Sequence, residues 1–511
     1  GVNFTGGSHG YGRGTAEGNF AVSGMKHYIS FSGSGSEGYA ENTDFTTYNL
    51  FYHGVVDIKK NELEIQMGHK DKAYGAQSFY TPEYPHQFEN TRSSLASIAM
   101  NLEGKIDFKP AVYWRRHQDR YELFREDTDW YQRENGFFVK SVDDTAKYQA
   151  GIYRPWNYYS GHNYHLTDVY GSRLNVFFQS VAGETSAGFD FRTENIWSNV
   201  LGEPMNDTLS ALNEPDGFYD HKYFRTVMNY YLEHNLYAGD LSVSAGLLGS
   251  WSNEFDLAWK WYPGVDVSYQ MSGSFTLYGS YNKSLRLPTF TDLFYSGPSN
   301  LGNQDLKPER VHSYEGGVKM TAYSLQGHLA YFYYNGENII AWTRESEDER
   351  QWQTNNLTEV NNRGVEFSLS ADVNRFFNTR SVLKSIRLDY TYLDQDKSTN
   401  GFESKYSLNY LNHDLGVYLS GGWQSWSVRL SSSYSHRAGK YLKYDFEKQA
   451  YTGEVEYQPA WVFDGKMSYT WDQWTFGFEV TNIFDNKHYD IGNVRTPGRW
   501  IKVHVGKHFD L

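Results

Sequence analysis

Residues 275–319 read FTLYGSYNKSLRLPTFTDLFYSGPSNLGNQDLKPERVHSYEGGVK, and this stretch decides the fold. Phe275, Leu277, Gly279 and Tyr281 alternate with Thr276, Tyr278 and Ser280, the period-two pattern of a strand with one apolar face. Leu287-Pro288 breaks the strand, because proline brings no N–H to a ladder and restricts the residue before it. Pro298, Gly302 and Pro308 keep the excursion irregular, and alternation resumes near Val311. The pattern is strand, long polar loop, strand.

The same pattern recurs along all 511 residues. Candidate strands follow one another from Val2 to the C-terminus, about 22 in all, and short turns alternate with long loops. Near the end, Ile501, Val503, Val505, Phe509 and Leu511 share one face, and Trp500, Lys502, His504, Gly506, His508 and Asp510 the other. A soluble antiparallel sheet with one buried face gives the same alternation. Loop lengths sorted by parity decide against it, because outer-membrane barrels carry short turns at one end and long loops at the other. Mean hydropathy is −0.68, and no run of about 18 apolar residues is present, which excludes membrane-spanning helices. Yet aromatic residues make up 18%, with 44 Tyr and 15 Trp, as aromatic girdles above and below a lipid-facing band require. The sequence therefore predicts an all-β, 22-stranded antiparallel transmembrane β-barrel over residues 1–511.

Absence of cysteine removes disulfides and thiol chemistry, and a net charge of −14 argues against nucleic acid as a partner. No nucleophile elbow, P-loop or zinc-binding helix is present, so no enzymatic activity is expected. His162 and His165 are three apart on a strand and point to opposite faces, so they read as rim histidines rather than a metal pair. Asp394 and Asp396 sit in a polar loop, 394–403, with oxygen ligands at every second position. Calcium is possible there, although a solvated acidic turn explains the same residues and no cofactor is required. The long loops interleave rings with amides: Tyr74, Phe79, Tyr80 and Tyr84; Trp156, Tyr158 and Tyr159; and Tyr295, Asn300 and Asn303. Rings and amides together suit a large amphipathic ligand, and packing of the loops on each other is the plainer use of the same rings.

Three landmarks resemble the TonB-dependent receptors of bacterial outer membranes. Asn303-Gln304-Asp305-Leu306-Lys307-Pro308-Glu309 is similar to the family's N-P-x-L-K-P-E loop. Asn361-Asn362-Arg363-Gly364-Val365-Glu366 resembles its R-G-x-E strand. Val480-Thr481-Asn482-Ile483-Phe484-Asp485-Asn486-Lys487-His488-Tyr489, followed by Thr496-Pro497-Gly498-Arg499, resembles its C-terminal box. The resemblance implies an active importer in the cell outer membrane. Ligand would bind at the extracellular loops, residues 79–85 and 286–308 would close over it, and the TonB complex would open a path by pulling on an N-terminal plug. The plug is absent from this chain, whose first residue stands at about the first strand, and is expected to have been removed from in front of it. Modest length and the spacing from Tyr281 to Glu309 resemble the cobalamin receptors, which makes cobalamin the expected cargo and a capping surface lipoprotein a possible partner. Two features differ from those receptors. The early loop 37–45 carries only Glu41 and Asp44 where a calcium-binding aspartate cluster is usual, and Leu511 replaces the terminal Phe, a role left to Phe509. A ferric-siderophore or haem receptor is the alternative within the family, and a passive porin or adhesin the alternative outside it.

Overall fold

The structure is a computed structural model, and it describes residues 1–126, 132–134, 137–139, 161–255, 258–297, 300–345, 351–398, 403–404 and 410–509. Twenty-two antiparallel strands form a closed barrel. Closure comes from the first strand, Val2–Gly7, pairing with the last, Trp500–Lys507, in register from Val2↔Lys507 to Gly7↔Lys502. In a membrane, closure is what leaves no backbone donor or acceptor facing lipid.

The alternation predicted from sequence sets which side chains face out. Phe4 pairs across the seam with Val505, and Val2, Ala16, Phe31 and Leu50 form the neighbouring outward row. Phe4, Phe31 and Leu50 are 65%, 48% and 51% exposed. Soluble monomers do not leave such a band uncovered. The polar partners Asn3, Thr15, Ser32 and Asn49 face the lumen. The accessible surface, 29409 Å² for a 59.2 kDa chain, far exceeds the about 19,000 Å² of a compact soluble monomer of that mass. The wall is one sheet thick, and its one compact apolar cluster among the described residues, Tyr164, Leu166, Ala211 and Tyr219, lies near the rim where a loop laps the wall.

Loop sorting holds. Two-residue turns close one end, with left-handed φ at Ser23 (51°), Lys59 (58°), Gly239 (60°), Gln424 (50°) and Asp472 (52°). The twist of a tight hairpin demands that conformation. One connection at this end is longer and contains the helical turn Val373–Phe377, capped by Asp372. The opposite, extracellular end carries the long loops.

Strands at that end run further than alternation predicts. Asn61–Gly75 extends to include Tyr74, which was expected in a loop. Leu383–Ser398 includes both Asp394 and Asp396, so the expected acidic loop begins later than 394. Tyr392 pairs with His413 and Val365 on the lipid-facing side, and parity then turns Asp394 and Asp396 outward at the rim. Above the hydrocarbon both faces of a strand meet water, so the ladder continues while the alternation that marks it fades. About 9–11 residues suffice to cross the bilayer.

Leu50→Arg places a cation in the lipid-facing band and should lower unfolding stability by about 2–4 kcal/mol. Asn49→Arg, one residue away and facing the lumen, should cost far less. Urea titration of both variants folded in lipid vesicles measures the difference.

Candidate functional site

On the lumen wall at the extracellular mouth, four neighbouring strands bring one row of residues together. Tyr74 lies opposite Glu89, Glu89 opposite Tyr121, and Tyr121 opposite Asn163. The next inward-facing row is Lys72, Thr91, Asp119 and His165. Glu89 is nearly buried, at 7% exposure, and its two oxygens accept from the phenols of Tyr74 and Tyr80. Tyr80 arrives from the loop 76–87 and meets the Tyr121 ring edge-on at 5.2 Å, with Phe79 on its other side at 4.9 Å. The Lys72 ammonium sits 3.7 Å from the Tyr74 ring centroid. Burial, then the neighbouring Glu89 charge, hold the Tyr80 hydroxyl far above its usual ionisation range. One oxygen of Asp119 is buried with no hydrogen-bond partner.

The loop 287–308 completes this wall from the far side. Thr289 and Asp292 form a capping box at the start of the helical turn Phe290–Phe294. Tyr295 follows directly and reaches the side chain of Asn163. Burial raises its phenol pKa, and the Asn163 amide opposes that shift. Tyr295 therefore joins Tyr74 and Tyr80 although more than two hundred residues separate them in sequence. Phe290 and Phe294 pack on Tyr223 at 5.8 and 4.6 Å. On the other side Asn303 Nδ2 donates to the Thr354 carbonyl at 3.2 Å, Thr354 Oγ1 donates to the Asp292 carbonyl at 2.7 Å, and Asn356 exchanges hydrogen bonds with Lys307. Arg286 grips Glu309 with two hydrogen bonds, 2.7 and 2.8 Å, and Glu309 also accepts from the Ile340 N–H. The loop is a strap tied at both ends and folded into the lumen.

A third element arches over the mouth. The hairpin Lys440–Asp445 and Ala450–Glu456 lies against loop 76–87, where the Tyr451 hydroxyl meets Thr81 and Glu83. Burial, then the Glu83 charge, push the Tyr451 pKa to about 12. Tyr84 packs edge-on against Phe124 at 5.6 Å. From below, Asn42 Nδ2 donates to the carbonyls of Pro85 and Gln87 at 3.0 and 2.7 Å.

Of the predicted ligand residues, Tyr74, Phe79, Tyr80 and Tyr295 converge on this wall, and Tyr84 lies in the same loop as Tyr80. Phe79 and Tyr80 remain 60% and 42% exposed toward the mouth. Asn300 pairs with Trp352 in a short parallel ladder, and Asn303 holds the strap through Thr354 and Asp305. Trp156, Tyr158 and Tyr159 lie outside the described residues. Asp394 is bound by Arg363 at 2.7 Å on the outer rim. Asp44, in the early loop, takes a two-bond fork from Arg125 at 2.6 and 2.8 Å. His162 meets Glu126 at 3.0 Å while His165 bonds Ser198 at 2.7 Å, so the two are not a pair. Among the described residues, no group of three or more His, Asp or Glu is placed to hold a metal ion. The sequence reading missed Glu89, Tyr121, Asp119, Asn163 and Arg225. The available signal was inward parity at the loop end of neighbouring strands.

A closed barrel with a polar lumen, an apolar belt and a mouth roofed by inward-folded loops defines a class: outer-membrane receptor barrels rather than soluble sandwiches. The sequence profile described as TonB dependent receptor-like, beta-barrel, matches residues 19–483. The chain belongs to the TonB-dependent receptor family, whose members are transporters of the bacterial outer membrane, not enzymes. Solved structures share the fold at low identity. The copper transporter OprC superposes with a TM-score of 0.73 at 13% identity, covering 99% of this chain and 82% of its own. The siderophore receptor PirA from Acinetobacter baumannii gives 0.73 at 13%, covering 99% and 80%. The ferric-catecholate import receptor Fiu from K12 E. coli gives 0.70 at 13%, covering 99% and 81%.

Replacing both Tyr74 and Tyr80 by Phe strands the Glu89 carboxylate without donors, at a cost of about 1–3 kcal/mol. Loop 76–87 should then become the first site of limited proteolysis in the folded, detergent-solubilised barrel. Adding Glu89→Gln should restore resistance, as mapped by mass spectrometry of the fragments.

Proposed function

We propose that this chain is the barrel of an energised importer that captures a large amphipathic cargo against the Tyr74–Tyr80–Tyr121–Tyr295 wall. One observation carries the reading: four phenols from two strands and two loops, distant in sequence, converge at the mouth, and Phe79 stays exposed above them. Rings supply contact area at low entropic cost, and hydroxyls and amides orient the cargo. Tyr84 and the strap residues Asn300 and Asn303 shape the rim of the same cup. The TonB complex supplies the work through a plug, outer-membrane lipid surrounds the barrel, and a surface lipoprotein is a further partner.

Cobalamin is the first choice of cargo. The charge pattern supports a ligand without large negative charge. Three arginines at the mouth are committed to acids, Arg125 to Asp44, Arg225 to Glu194 and Glu254, and Arg286 to Glu309. The Glu89–Asp119 side has acid in excess of base. A ferric catecholate, an anion, gains little from such a wall. The second reading is a metal or ferric-siderophore cargo. It is favoured by the solved structures of similar fold, whose names are those of copper and siderophore receptors. Calcium at Asp394 and Asp396 remains part of the proposal only as a rim ion outside the cup.

Isothermal calorimetry against cyanocobalamin, a ferric-siderophore panel and Cu²⁺ separates the readings. Heat with cyanocobalamin alone is expected; saturable heat with a siderophore or copper and none with cyanocobalamin moves the cargo to the second reading. Phe79→Ala with Tyr80→Ala should weaken binding of whichever cargo is taken by at least roughly tenfold, since each ring removed is worth about 1–2 kcal/mol at a buried contact.

A further inference from the structure

Arg225 stands on the strand Phe218–Ala238, directly opposite Glu194 of the neighbouring strand, and its side chain is 8% exposed. Its guanidinium binds in three directions. Nε and Nη2 donate to Glu194 Oε2 at 3.1 and 2.6 Å, Nη1 donates to Glu254 Oε2 at 3.1 Å, and Nη1 also donates to the Pro288 carbonyl at 2.7 Å. The Phe290 ring lies over the guanidinium at 4.8 Å. Glu194 is held in turn by Arg192 at 2.8 Å.

Two of these contacts belong to the wall, and two belong to the strap. Pro288 is the residue at which the chain leaves the ladder, so its carbonyl has no strand partner, and Arg225 supplies one. From Pro288 the chain passes through the helical turn Phe290–Phe294 to Tyr295. The turn is short and capped at its start, so its position fixes where Tyr295 falls. We infer that Arg225 is the positioning residue of the mouth: it anchors the strap at Pro288 and Phe290 and thereby sets Tyr295 against Asn163. The inference rests on the proposed cup for its meaning in transport, and on geometry alone for the anchoring.

The fork is essential to this role. A guanidinium is planar and directs several N–H groups at fixed angles, whereas an ammonium is a compact point charge on a flexible stem. Lysine at position 225 would still neutralise Glu194 and Glu254 but would not hold Pro288 and the wall at once. The role also divides the mouth. The strap is fixed to the wall by a buried charged cluster and by the far contacts at Thr354 and Asn356. Loop 76–87 and the arching hairpin meet each other through phenols at the surface.

Hydrogen exchange on the ligand-free, detergent-solubilised protein tests this without knowledge of the cargo. The probes are the strap amides of Leu293, Tyr295, Gly302 and Asn303, which bond to Thr289, Thr291, Tyr295 and Asp292 carbonyls. In Arg225→Lys, and in Arg225→Met combined with Glu254→Gln, which leaves no uncompensated Glu254 charge, strap exchange should accelerate on the order of tenfold or more. Exchange in the strand Leu241–Ser252 should not change. Strap exchange equal to wild type in both variants overturns the inference. So does wild-type protection in Arg225→Lys alone, which would reduce the role to charge balance. Titration of Tyr295→Ala with cyanocobalamin reads the cup separately: binding as in wild type, alongside accelerated strap exchange in the Arg225 variants, sinks the proposed cup and leaves the anchoring intact.

Discussion

Everything in this molecule depends on one ladder being closed. The six-residue pairing of the first strand with the last, from Val2 to Gly7, leaves no open edge, and in hydrocarbon an open edge costs several kcal/mol for each unpaired group. Closure fixes the lumen, and the lumen fixes parity. Once Phe4 and Val505 face lipid together, each later side chain is assigned a side by counting. Glu89, Asp119 and Arg225 are inward for the same reason that Leu50 and Val503 are outward. The polar residues at the mouth are therefore a consequence of register, and a slip of one residue would turn each of them to the opposite face.

Register also explains how a wall of phenols and acids arises from residues so distant in sequence. Antiparallel neighbours place Tyr74, Glu89, Tyr121 and Asn163 side by side, although the fourth lies 89 positions beyond the first. Loops then add what strands do not supply. Tyr80 bends back over its own strand to reach Glu89, and the strap brings Tyr295 from the opposite arc. Each phenol tests the position of a different element. Such a constellation is rigid where it rests on the ladder and adjustable where it rests on loop 76–87.

Much of this was legible in the sequence. Strand number, the sorting of loops and the outward Ile501, Val503 and Val505 followed from alternation, and the inward fold of the proline-rich loop from Pro288 and Pro308; the last strand ends at Lys507, before Phe509, and Leu511 and Pro298 lie outside the described residues. The Lys307-Pro308-Glu309 end is structural, because Glu309 binds Arg286 and the Ile340 amide. The caps of the C-terminal box were legible too. Asn482 bonds Asn486 and Pro497, and Asp485 receives the Arg499 N–H. Strand ends were not legible. Tyr74 and Asp394 stand above the bilayer, where no apolar face is required and composition ceases to mark a strand. Nor was the Arg225 cluster, since Glu194 and Glu254 lie 31 and 29 residues away on other elements and only register brings them to one place.

Charge at the mouth is the last constraint, and it bears on what the cup can hold. Arginine is the side chain suited to gripping anions, because its fork matches carboxylate and catecholate oxygens. Here that capacity is spent inside the wall: Arg225 and Arg286 tie the strap, and Arg125 ties the early loop. Turned to the mouth beside the Lys72 ammonium are phenols, amides and carboxylates. Phenols and amides donate as well as accept hydrogen bonds, carboxylates accept, and the rings stack. Under the proposed function, a cargo with polar groups around an apolar face is the better complement to such a surface than a compact polyanion. The arginines that tie the strap and the early loop are thereby occupied within the protein itself.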